Sequence, residues 1–233
     1  MPRVSKVSEK KAIISLGGSI VVPLKIDTGF LGEFSLFIRK FVEGGYRFFI
    51  IVGGGSVCRQ YQSAAAKINS NLTPEDLDFL GIETTKLNAF LIKTILGDIS
   101  EEKLIDYESF TAGSKPVAVG GGWKPGCSSD VEAVVLAEKI NVNQIINLTN
   151  IDYVYRADPK KDPNTKPLKE VSWGEYRAMV GDKWSPGMSV PFDPVASKKA
   201  QELGLTVKIV NGKNLENLEK CLNCEEFQGT TIR

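Results

Sequence analysis

The stretch RFFIIVGGGSVCRQYQSAAAKI, residues 47–68, decides the fold class. Its first part, Arg47 to Val52, is an apolar run with the length of a buried strand, and three consecutive glycines follow it. Ser56 is placed to cap a helix that continues to about Ile68. The stretch therefore predicts a strand, a glycine turn and a helix in direct succession.

The same succession occurs twice more in the chain. Lys11–Leu16 runs into Gly17-Gly18-Ser19, and Pro116–Val119 runs into Gly120-Gly121-Gly122. Strands that alternate with helices build a mostly parallel sheet that is covered on both faces. The sequence therefore predicts an α/β fold, a three-layer sandwich with a central, mainly parallel sheet. Ligands of such sheets bind where the strands end.

Hydrophobic spacing and turn residues predict the remaining elements. A helix is expected around Phe30–Phe41, and a long one over Pro74–Leu96 with Thr73 as its N-cap. The helix after the third glycine turn begins at Ser128 or Ser129. The later elements are a strand at 144–149, an exposed loop or hairpin at 158–167, a helix at 193–203, a strand at 206–210, a helix at 215–222 and an edge strand at 230–232.

Composition limits the classes of function. The 233 residues suffice for one α/β domain or two lobes that share a sheet, and 29 Lys and Arg balance 28 Asp and Glu. Met1–Lys11 has no apolar core region, and no run of about eighteen apolar residues occurs. We therefore expect a cytoplasmic protein with no nucleic-acid or membrane partner. The absence of histidine excludes Ser-His-Asp and Cys-His catalysis.

The four cysteines, at positions 58, 127, 221 and 224, give one short spacing, between Cys221 and Cys224. Such a pair is half a zinc site, which needs ligands from the other two cysteines or from another chain. We expect reduced thiols here and keep metal binding as the minor alternative.

The three glycine turns are candidate phosphate-binding loops, because exposed backbone N–H groups and the positive end of a helix dipole meet there. Singly, each turn is equally consistent with a tight turn that needs positive φ. Three of them in one parallel sheet indicate one or two polyanionic ligands. They match neither the GxxxxGK[ST] pattern nor GxGxxG, which disfavours a P-loop enzyme and a Rossmann dehydrogenase.

Charged side chains near these turns are candidate site residues. Arg59 follows Gly55 by about one helical turn, where its guanidinium could reach a bound phosphate; the alternative is a surface arginine. Several aspartates follow strand ends or open helices, where a carboxylate could bind magnesium, orient a lysine or simply cap a helix. These aspartates are Asp130, Asp152, Asp158 and Asp193.

Seven motifs then follow one another along the chain. They are LGGSI (16–20), VGGGSVCRQY (52–61), DFLGIETTKLNA (78–89), PGCSSD (125–130), LTNIDYVYRADPKKDP (148–163), DPVASK (193–198) and GTTI (229–232). In this order they resemble the motifs of the uridylate kinases, particularly the archaeal type, within the amino-acid-kinase superfamily. The resemblance runs from about Ala12 to Ile232. It implies the amino-acid-kinase fold and transfer of the γ-phosphoryl group of ATP to UMP.

The resemblance also implies two lobes in one continuous domain, an acceptor lobe over residues 1–140 and an ATP lobe over residues 141–233. In the family the middle glycine loop and its arginine hold the acceptor phosphate, and an aspartate binds the acceptor ribose. The matching residues implied to bind UMP are Gly54, Gly55, Arg59, Asp78, Gly81, Thr85, Asn88, Ser128 and Ser129. Those implied to bind ATP are Gly17, Gly18, Ser19, Thr149, Asn150, Tyr155 and Asp158.

The catalytic residues that the resemblance implies are Lys198, Asp130 and Asp193, acting with Mg²⁺ that accompanies ATP. Because the nucleophile is a phosphate oxygen that is already ionised, no general base is required. Positioning and charge stabilisation then carry the reaction, through backbone N–H groups, Lys198, Arg59 and magnesium. The family resemblance further implies a homo-oligomer, a hexamer built from dimers.

Three departures from the family pattern affect these expectations. Ser15 stands where many members carry a lysine, so the phosphate charge falls to Lys198 or magnesium. Tyr153 replaces a common glycine, and Trp123 and Lys124 occupy the acceptor loop, which leaves the acceptor base open. Two alternatives also stay open: a nucleotide- or oxyanion-storage protein of the same fold, and a kinase of the same fold with another small phosphate or carboxylate acceptor.

Overall fold

A central sheet of seven strands organises the computed structural model, which describes residues 10–159, 161–183, 188 and 190–233. The described residues form nine strands, seven in this sheet and two in a separate pair. In chain order they are β1 (Lys10–Leu16), β2 (Tyr46–Val52), β3 (Val117–Gly120), β4 (Gln144–Thr149), β5 (Val154–Tyr155), β6 (Pro167–Leu168), β7 (Glu170–Val171), β8 (Thr206–Asn211) and β9 (Gly229–Ile232). The order across the sheet is β3-β2-β1-β4-β8-β9-β7, and β5 and β6 form a separate antiparallel pair.

Most of the sheet is parallel, as the sequence predicts. Strands β3, β2, β1, β4 and β8 all run in one direction, while β9 is antiparallel to β8. All five parallel strands therefore end at the same edge of the sheet, where their polar turns come together.

The helices lie on both faces of this sheet. They are α1 (Gly18–Val21), α2 (Thr28–Glu43), α3 (Gly55–Ile68), α4 (Pro74–Leu96), α5 (Ser129–Ile140), α6 (Trp173–Val180), α7 (Pro194–Glu202) and α8 (Leu215–Leu222). Because side chains alternate across a strand, Phe48 and Ile50 pack with α2, α4 and α8 on one face, while Phe49 and Ile51 pack with α5, α6 and α7 on the other. The three-layer prediction is confirmed.

Polar residues directly before several helices act as their N-caps. Thr73 forms a capping box with Asp76, and Ser128 rather than Ser129 is the N-cap of α5. Asp193 is the N-cap of α7, where its side chain accepts a hydrogen bond from Ala196 N at 2.7 Å. These caps fix where the polar side chains at the strand ends point.

The structure differs from the sequence prediction at three places. Helix α3 begins at Gly55, which has φ 69°, with Gly54 as its N-cap, so Ser56 is not the cap; its N–H donates to Val22 O instead. Strand β9 is not the edge strand, because β7 pairs with its outer side. Helix α6, which begins with a capping box of Ser172 and Glu175, was not expected.

None of the helices in the described part of the chain has the length and apolar character needed to cross a bilayer.

Candidate active site

The first two glycine turns touch each other through their backbones. A Cβ added to Gly18 would lie 2.6 Å from Gly55 Cα, and one added to Gly53 would lie 2.7 Å from Gly18 N. Both distances are shorter than real Cβ contacts allow, so this packing requires glycine at both positions. The turn after β1 and the turn after β2 therefore form one continuous backbone surface.

A cavity of about 450 Å³ opens above this surface, at the carboxyl ends of β1, β2 and β4. The starts of α3, α5 and α7 also face it, so three helix N-termini surround one space. Twelve of the residues expected to bind a substrate or to act in catalysis line it: Gly17, Gly18, Ser19, Gly54, Gly55, Arg59, Ser128, Ser129, Asp130, Thr149, Asn150 and Asp193.

A smaller cavity of about 100 Å³ adjoins the first. Gly54, Cys58, Ser128 and Ser129 line both cavities, so they form the wall between them. The other expected residues that line the smaller cavity are Asp78, Gly81 and Thr85. The arrangement offers two neighbouring compartments that meet at the starts of α3 and α5.

Two of the expected UMP-binding residues also hold the loops of the site in place. Asn88 donates through Nδ2 to Gly53 O at 2.9 Å and to Gly54 O at 3.0 Å. Asp78 accepts a hydrogen bond from Gly126 N at 2.6 Å. Asn88 is buried and lines neither cavity, so the structure gives it a supporting position under the second glycine turn.

Asp130 and Asp193 lie side by side at one end of the larger cavity. Asp130 accepts hydrogen bonds from Ser15 Oγ and from Asp193 N, both at 3.0 Å. Its enclosure in the protein, followed by the charge of Asp193, raises the pKa of Asp130 to about 7.

Asp193 is more deeply buried than Asp130, with 3% of its surface exposed. Burial raises the pKa of Asp193, and the Ala196 N–H and the nearby Ser128 hydroxyl oppose this rise. Its Oδ2 atom is buried and has no partner of normal hydrogen-bond geometry within the described residues. A buried carboxylate oxygen in this state is a place where a cation would be favourable.

Glu132, one turn further into the chain from Ser128, is a buried carboxylate that sequence reasoning missed. Its Oε1 accepts from Trp123 N at 2.7 Å, and its Oε2 accepts from Tyr107 OH at 2.9 Å. Burial raises its pKa to about 7 against these hydrogen bonds. Glu132 lines the smaller cavity and ties the third glycine turn to α5.

Arg59 is the single basic side chain among the described residues that line the larger cavity. It is exposed, and within the described part of the chain it takes part in no salt bridge. Its guanidinium is therefore available to an anion at the start of α3.

Lys198 is not part of this cavity, which corrects the expectation that DPVASK delivers it there. Ala196, Ser197 and Ala200 face the core, so the helical period turns Lys198 outward. It is exposed and lines a separate hollow with Glu138 and Lys199. Lys199, the next residue on the same helix, forms a salt bridge with Glu138 at 2.7 Å.

Tyr155 and Asp158 also lie outside the lining of the larger cavity. Tyr155 belongs to β5, and the exposed Asp158 follows it in the connection to β6. The exposed Asp152 accepts a hydrogen bond from Asn211 Nδ2 at 2.8 Å and does not line the cavity either. The end of β4 thus contributes Thr149 and Asn150 alone from the expected ATP-binding segment.

Several lining residues were missed from the sequence. They are Cys58, Asn147, Met188, Val190 and Pro191, whereas Ser15 and Gly53, which also line the cavity, were named from the sequence as the replaced lysine position and as part of the second glycine turn. Asn147 carried a usable signal, because an amide inside the apolar strand β4 needs a partner, and its Nδ2 donates to Pro191 O at 2.7 Å. Pro191 and its neighbours carried no comparable signal.

The cysteines show no metal centre. Cys221 is buried and Cys224 exposed, and no group of three or more Cys, Asp or Glu side chains in the described ranges could hold a metal ion. Cys58 and Cys127 both line the smaller cavity, and burial raises the pKa of each thiol.

Comparisons with known proteins agree with this arrangement. The sequence model of the amino acid kinase family matches residues 10–211. The chain is 32% identical to the uridylate kinase of Pyrococcus abyssi over 226 residues, which cover 95% of this chain and 99% of that protein. It is 33% identical to the uridylate kinase of Methanocorpusculum labreanum, over 95% of each chain.

A solved structure gives the same result. The crystal structure of uridylate kinase from Archaeoglobus fulgidus superposes with a TM-score of 0.77 at 29% identity, covering 96% of this chain and all of that one (100%). Because the family model and these relatives span nearly the whole chain, the protein belongs to the amino acid kinase family, among its uridylate kinases.

Proposed function

We propose that this protein is a UMP kinase, which transfers the γ-phosphoryl group of ATP to the phosphate of UMP and so serves pyrimidine nucleotide synthesis. The observation that carries the proposal is the pair of adjoining cavities with a common wall at Gly54, Cys58, Ser128 and Ser129. Two phosphorylated ligands that enter from either side meet at this wall. Phosphoryl transfer needs this placement of donor and acceptor.

We assign the acceptor to the side formed by residues 1–140. Arg59 and the backbone of Gly54 and Gly55 would bind the UMP phosphate at the start of α3, where the helix dipole also favours an anion. Asp78, next to Gly81 and Thr85 in the smaller cavity, would accept a hydrogen bond from the ribose. Asn88 supports this site from below.

The donor side is formed chiefly by residues 141–233, together with the first glycine turn. Thr149 and Asn150 at the end of β4, with Gly17, Gly18 and Ser19, would surround the phosphates of ATP. Tyr155 and Asp158, in the nearby β5–β6 segment, would lie along the rest of the nucleotide.

Catalysis by this site depends on placement and electrostatics. The attacking UMP oxygen is already ionised, so no side chain has to remove a proton. The starts of α3 and α5 face the larger cavity, where their backbone N–H groups would stabilise charge on the transferring group, and Arg59 adds one positive charge. Because Gly17, Gly18, Gly53 and Gly54 have no side chains, the ligands can approach the backbone of both turns closely.

The residues present fit a magnesium ion that accompanies ATP. Asp130 and Asp193 supply carboxylate oxygens, and the buried Asp193 Oδ2 is without a hydrogen-bond partner among the described residues. Magnesium is commonly bound by one or two carboxylates together with phosphate oxygens and water. When bound, it supplies positive charge that neutralises the phosphates in the transition state.

We further propose a cytoplasmic homo-oligomer, a hexamer by family resemblance. Support comes from large apolar side chains that are exposed on α3 and α4. These are Tyr61, Ile68, Phe79, Leu87 and Phe90. Such a set on two neighbouring helices is typical of a subunit interface. Sedimentation velocity would test the assembly.

An assay of ADP release with UMP, CMP and AMP tests the proposed reaction. We expect kcat/KM for UMP to exceed that for either other acceptor by about tenfold or more, since UMP is the proposed acceptor. Turnover of the other acceptors without UMP would assign a different substrate. Tight ATP binding without turnover of any acceptor would favour a storage protein.

A further inference from the structure

The smaller cavity differs in charge from the larger one. The described residues that line it include two acids, Asp78 and Glu132, and no lysine or arginine. Both Glu132 oxygens accept hydrogen bonds from the chain, so Asp78 is the acid that remains for a ligand. A carboxylate without a counter-charge repels a phosphate but favours an uncharged group that donates a hydrogen bond. The cavity therefore suits an uncharged part of a nucleotide.

Asp78 is paired with the protein through one oxygen. Its Oδ2 accepts the hydrogen bond from Gly126 N at 2.6 Å, while none of the described residues donates to Oδ1. A carboxylate oxygen only accepts hydrogen bonds, so Oδ1 needs a donor from a ligand. The ribose hydroxyl groups of the acceptor nucleotide are such donors.

Gln62 is a second polar side chain of this cavity. It is half-buried on α3 and lies about two helical turns after Gly55, so it shares the helix face that begins at the proposed phosphate site. Its Nε2 donates to Leu77 O at 2.9 Å. Because a carbonyl oxygen only accepts, this contact fixes the orientation of the amide. Oε1 and the second N–H of Nε2 then have no partner among the described residues.

Gly81 brings the Gln62 amide and the Asp78 carboxylate to one place. A Cβ added to Gly81 would lie 3.0 Å from Gln62 Nε2 and 3.9 Å from Asp78 Oδ1. The two atoms therefore flank the same space, and glycine has no side chain to fill it. An N–H donor and an oxygen acceptor thus stand side by side at the lining of the cavity.

We propose that Gln62 recognises a ribose hydroxyl of the acceptor together with Asp78, and that it makes the site select ribonucleotides over deoxyribonucleotides. The inference rests on the proposed function and deepens it by naming a residue that determines substrate class. The hydroxyl donates to Asp78 Oδ1 and accepts from the second N–H of Gln62. Since a hydroxyl has one hydrogen and two lone pairs, it satisfies both groups at once.

Selection follows from what a deoxyribonucleotide leaves unpaired. Without the hydroxyl, Asp78 Oδ1 and the Gln62 N–H are covered by the ligand and lose their hydrogen-bond partner. A site that hydrogen-bonds a substrate hydroxyl rejects the analogue that lacks it more strongly than an apolar pocket rejects an extra methylene. We expect kcat/KM for UMP to exceed that for the deoxy analogue by about tenfold or more.

The test changes the protein and the substrate in turn. The constant kcat/KM is measured for UMP, 2′-deoxy-UMP and 3′-deoxy-UMP with the wild type and with Gln62→Leu, which removes the amide but keeps a similar volume. We expect Gln62→Leu to lower kcat/KM for UMP by about three- to tenfold. For the analogue that lacks the hydroxyl contacted by Gln62, the change should stay below about twofold.

Gln60→Leu is the matched control. Gln60 is exposed on the same helix and lines neither cavity, so its substitution should change kcat/KM for each nucleotide by less than about twofold. Circular dichroism melts establish that the variants are folded. Gln62→Ala supplies the same comparison if Gln62→Leu fails to fold.

Equal losses of kcat/KM with UMP and with both deoxy analogues would overturn the inference, because Gln62 would then only tie α3 to α4 through Leu77 O. An unchanged kcat/KM for UMP would overturn it as well. Isothermal titration calorimetry with the same nucleotides repeats the comparison as Kd values, without turnover.

The two proposals fail in different ways. Turnover of UMP with a selectivity that Gln62→Leu does not alter rejects this inference alone. A ratio of Kd values for UMP and a deoxy analogue that depends on Gln62, without turnover of UMP, rejects the proposed function alone. A wild type that binds no UMP rejects both.

Discussion

Two carboxylate sites meet at the start of α5, and they differ in how the protein treats their oxygens. Glu132 and Asp193 are almost completely buried, with 1% and 3% of their surfaces exposed. Both Glu132 oxygens accept hydrogen bonds from the chain, whereas Asp193 Oδ2 has none within the described residues. Burial raises the pKa of Glu132 and of Asp130 alike to about 7.

The comparison shows that a raised carboxylate pKa does not by itself identify a ligand site. Burial accounts for the rise in both places, while hydrogen bonding distinguishes them, because both Glu132 oxygens are paired within the chain and Asp193 Oδ2 is not paired within the described residues. Both oxygens of Glu132 have hydrogen-bond partners within the chain, and Glu132 holds the third glycine turn in place. The pair Asp130 and Asp193 is incomplete and faces the cavity.

The largest effect is expected for Asp193→Asn. Asparagine preserves the N-cap of α7 but removes half of the carboxylate pair, so kcat with UMP should fall by about a hundredfold or more. Steady-state kinetics at saturating Mg²⁺ measures this. A variant that keeps more than about a third of wild-type kcat would contradict the division between the two carboxylate sites.

Arg59→Ala should have the next largest effect and should act on the acceptor. Loss of a charge-assisted contact of about 1.5–3 kcal/mol should raise the KM for UMP by about ten- to a hundredfold. The KM for ATP should change less than about twofold, because Arg59 lies at the start of α3, on the acceptor side. An equal rise in both constants would show that the two sides are assigned wrongly.

Glu132→Gln should change activity only a few-fold and should mainly change stability. The folded-state pKa of about 7 lies above the ordinary glutamate pKa of 4.5, so the wild type loses stability as pH rises from about 4.5 through 7. The amide has no charge to bury. The variant should therefore match the wild type near pH 5 and exceed its unfolding free energy by about 1–3 kcal/mol near pH 8.

Urea unfolding of Glu132→Gln and of the wild type at the two pH values measures this difference. If the advantage of the variant is the same at both pH values, burial of charge is not its cause. A loss of kcat as large as that of Asp193→Asn would give Glu132 a direct part in the reaction and would remove the contrast between the sites.

Lys198→Met should have the smallest effect, with kcat within about twofold of the wild type, because the side chain is exposed outside the cavity. Lys199→Met is the matched variant on the same helix. It breaks a partly exposed salt bridge with Glu138 and should cost at most about 1 kcal/mol of stability. A hundredfold loss of kcat in Lys198→Met would instead show that Lys198 acts at the reaction centre.

Local patterns in the sequence predicted most of the fold. The apolar runs before Gly17, Gly53 and Gly120 are the parallel strands β1, β2 and β3, and the caps at Thr73 and Ser128 open the expected helices. These signals depend on neighbours within a few residues. Because the predicted strands and helices form as expected, most of the expected binding residues line the two cavities.

The failures involve contacts between distant segments. The motif DPVASK does not specify which side of α7 Lys198 occupies, because packing of Ala196 and Ala200 against the core decides it. The partners of Glu132 come from the loops around Tyr107 and Trp123, which have no spacing relation to it. Single-sequence reasoning has no signal for such pairings.

The backbone contact between Gly18 and Gly55 limits how this enzyme can be redesigned. Since the two loops touch without room for a Cβ, a side chain placed in either loop would displace the other. A substitution in either loop therefore cannot change the affinity for one substrate alone. Redesign of acceptor preference is therefore best directed at Trp123 and Lys124, which follow the third glycine turn and contact each other, because these side chains can change while the contact between Gly18 and Gly55 stays fixed.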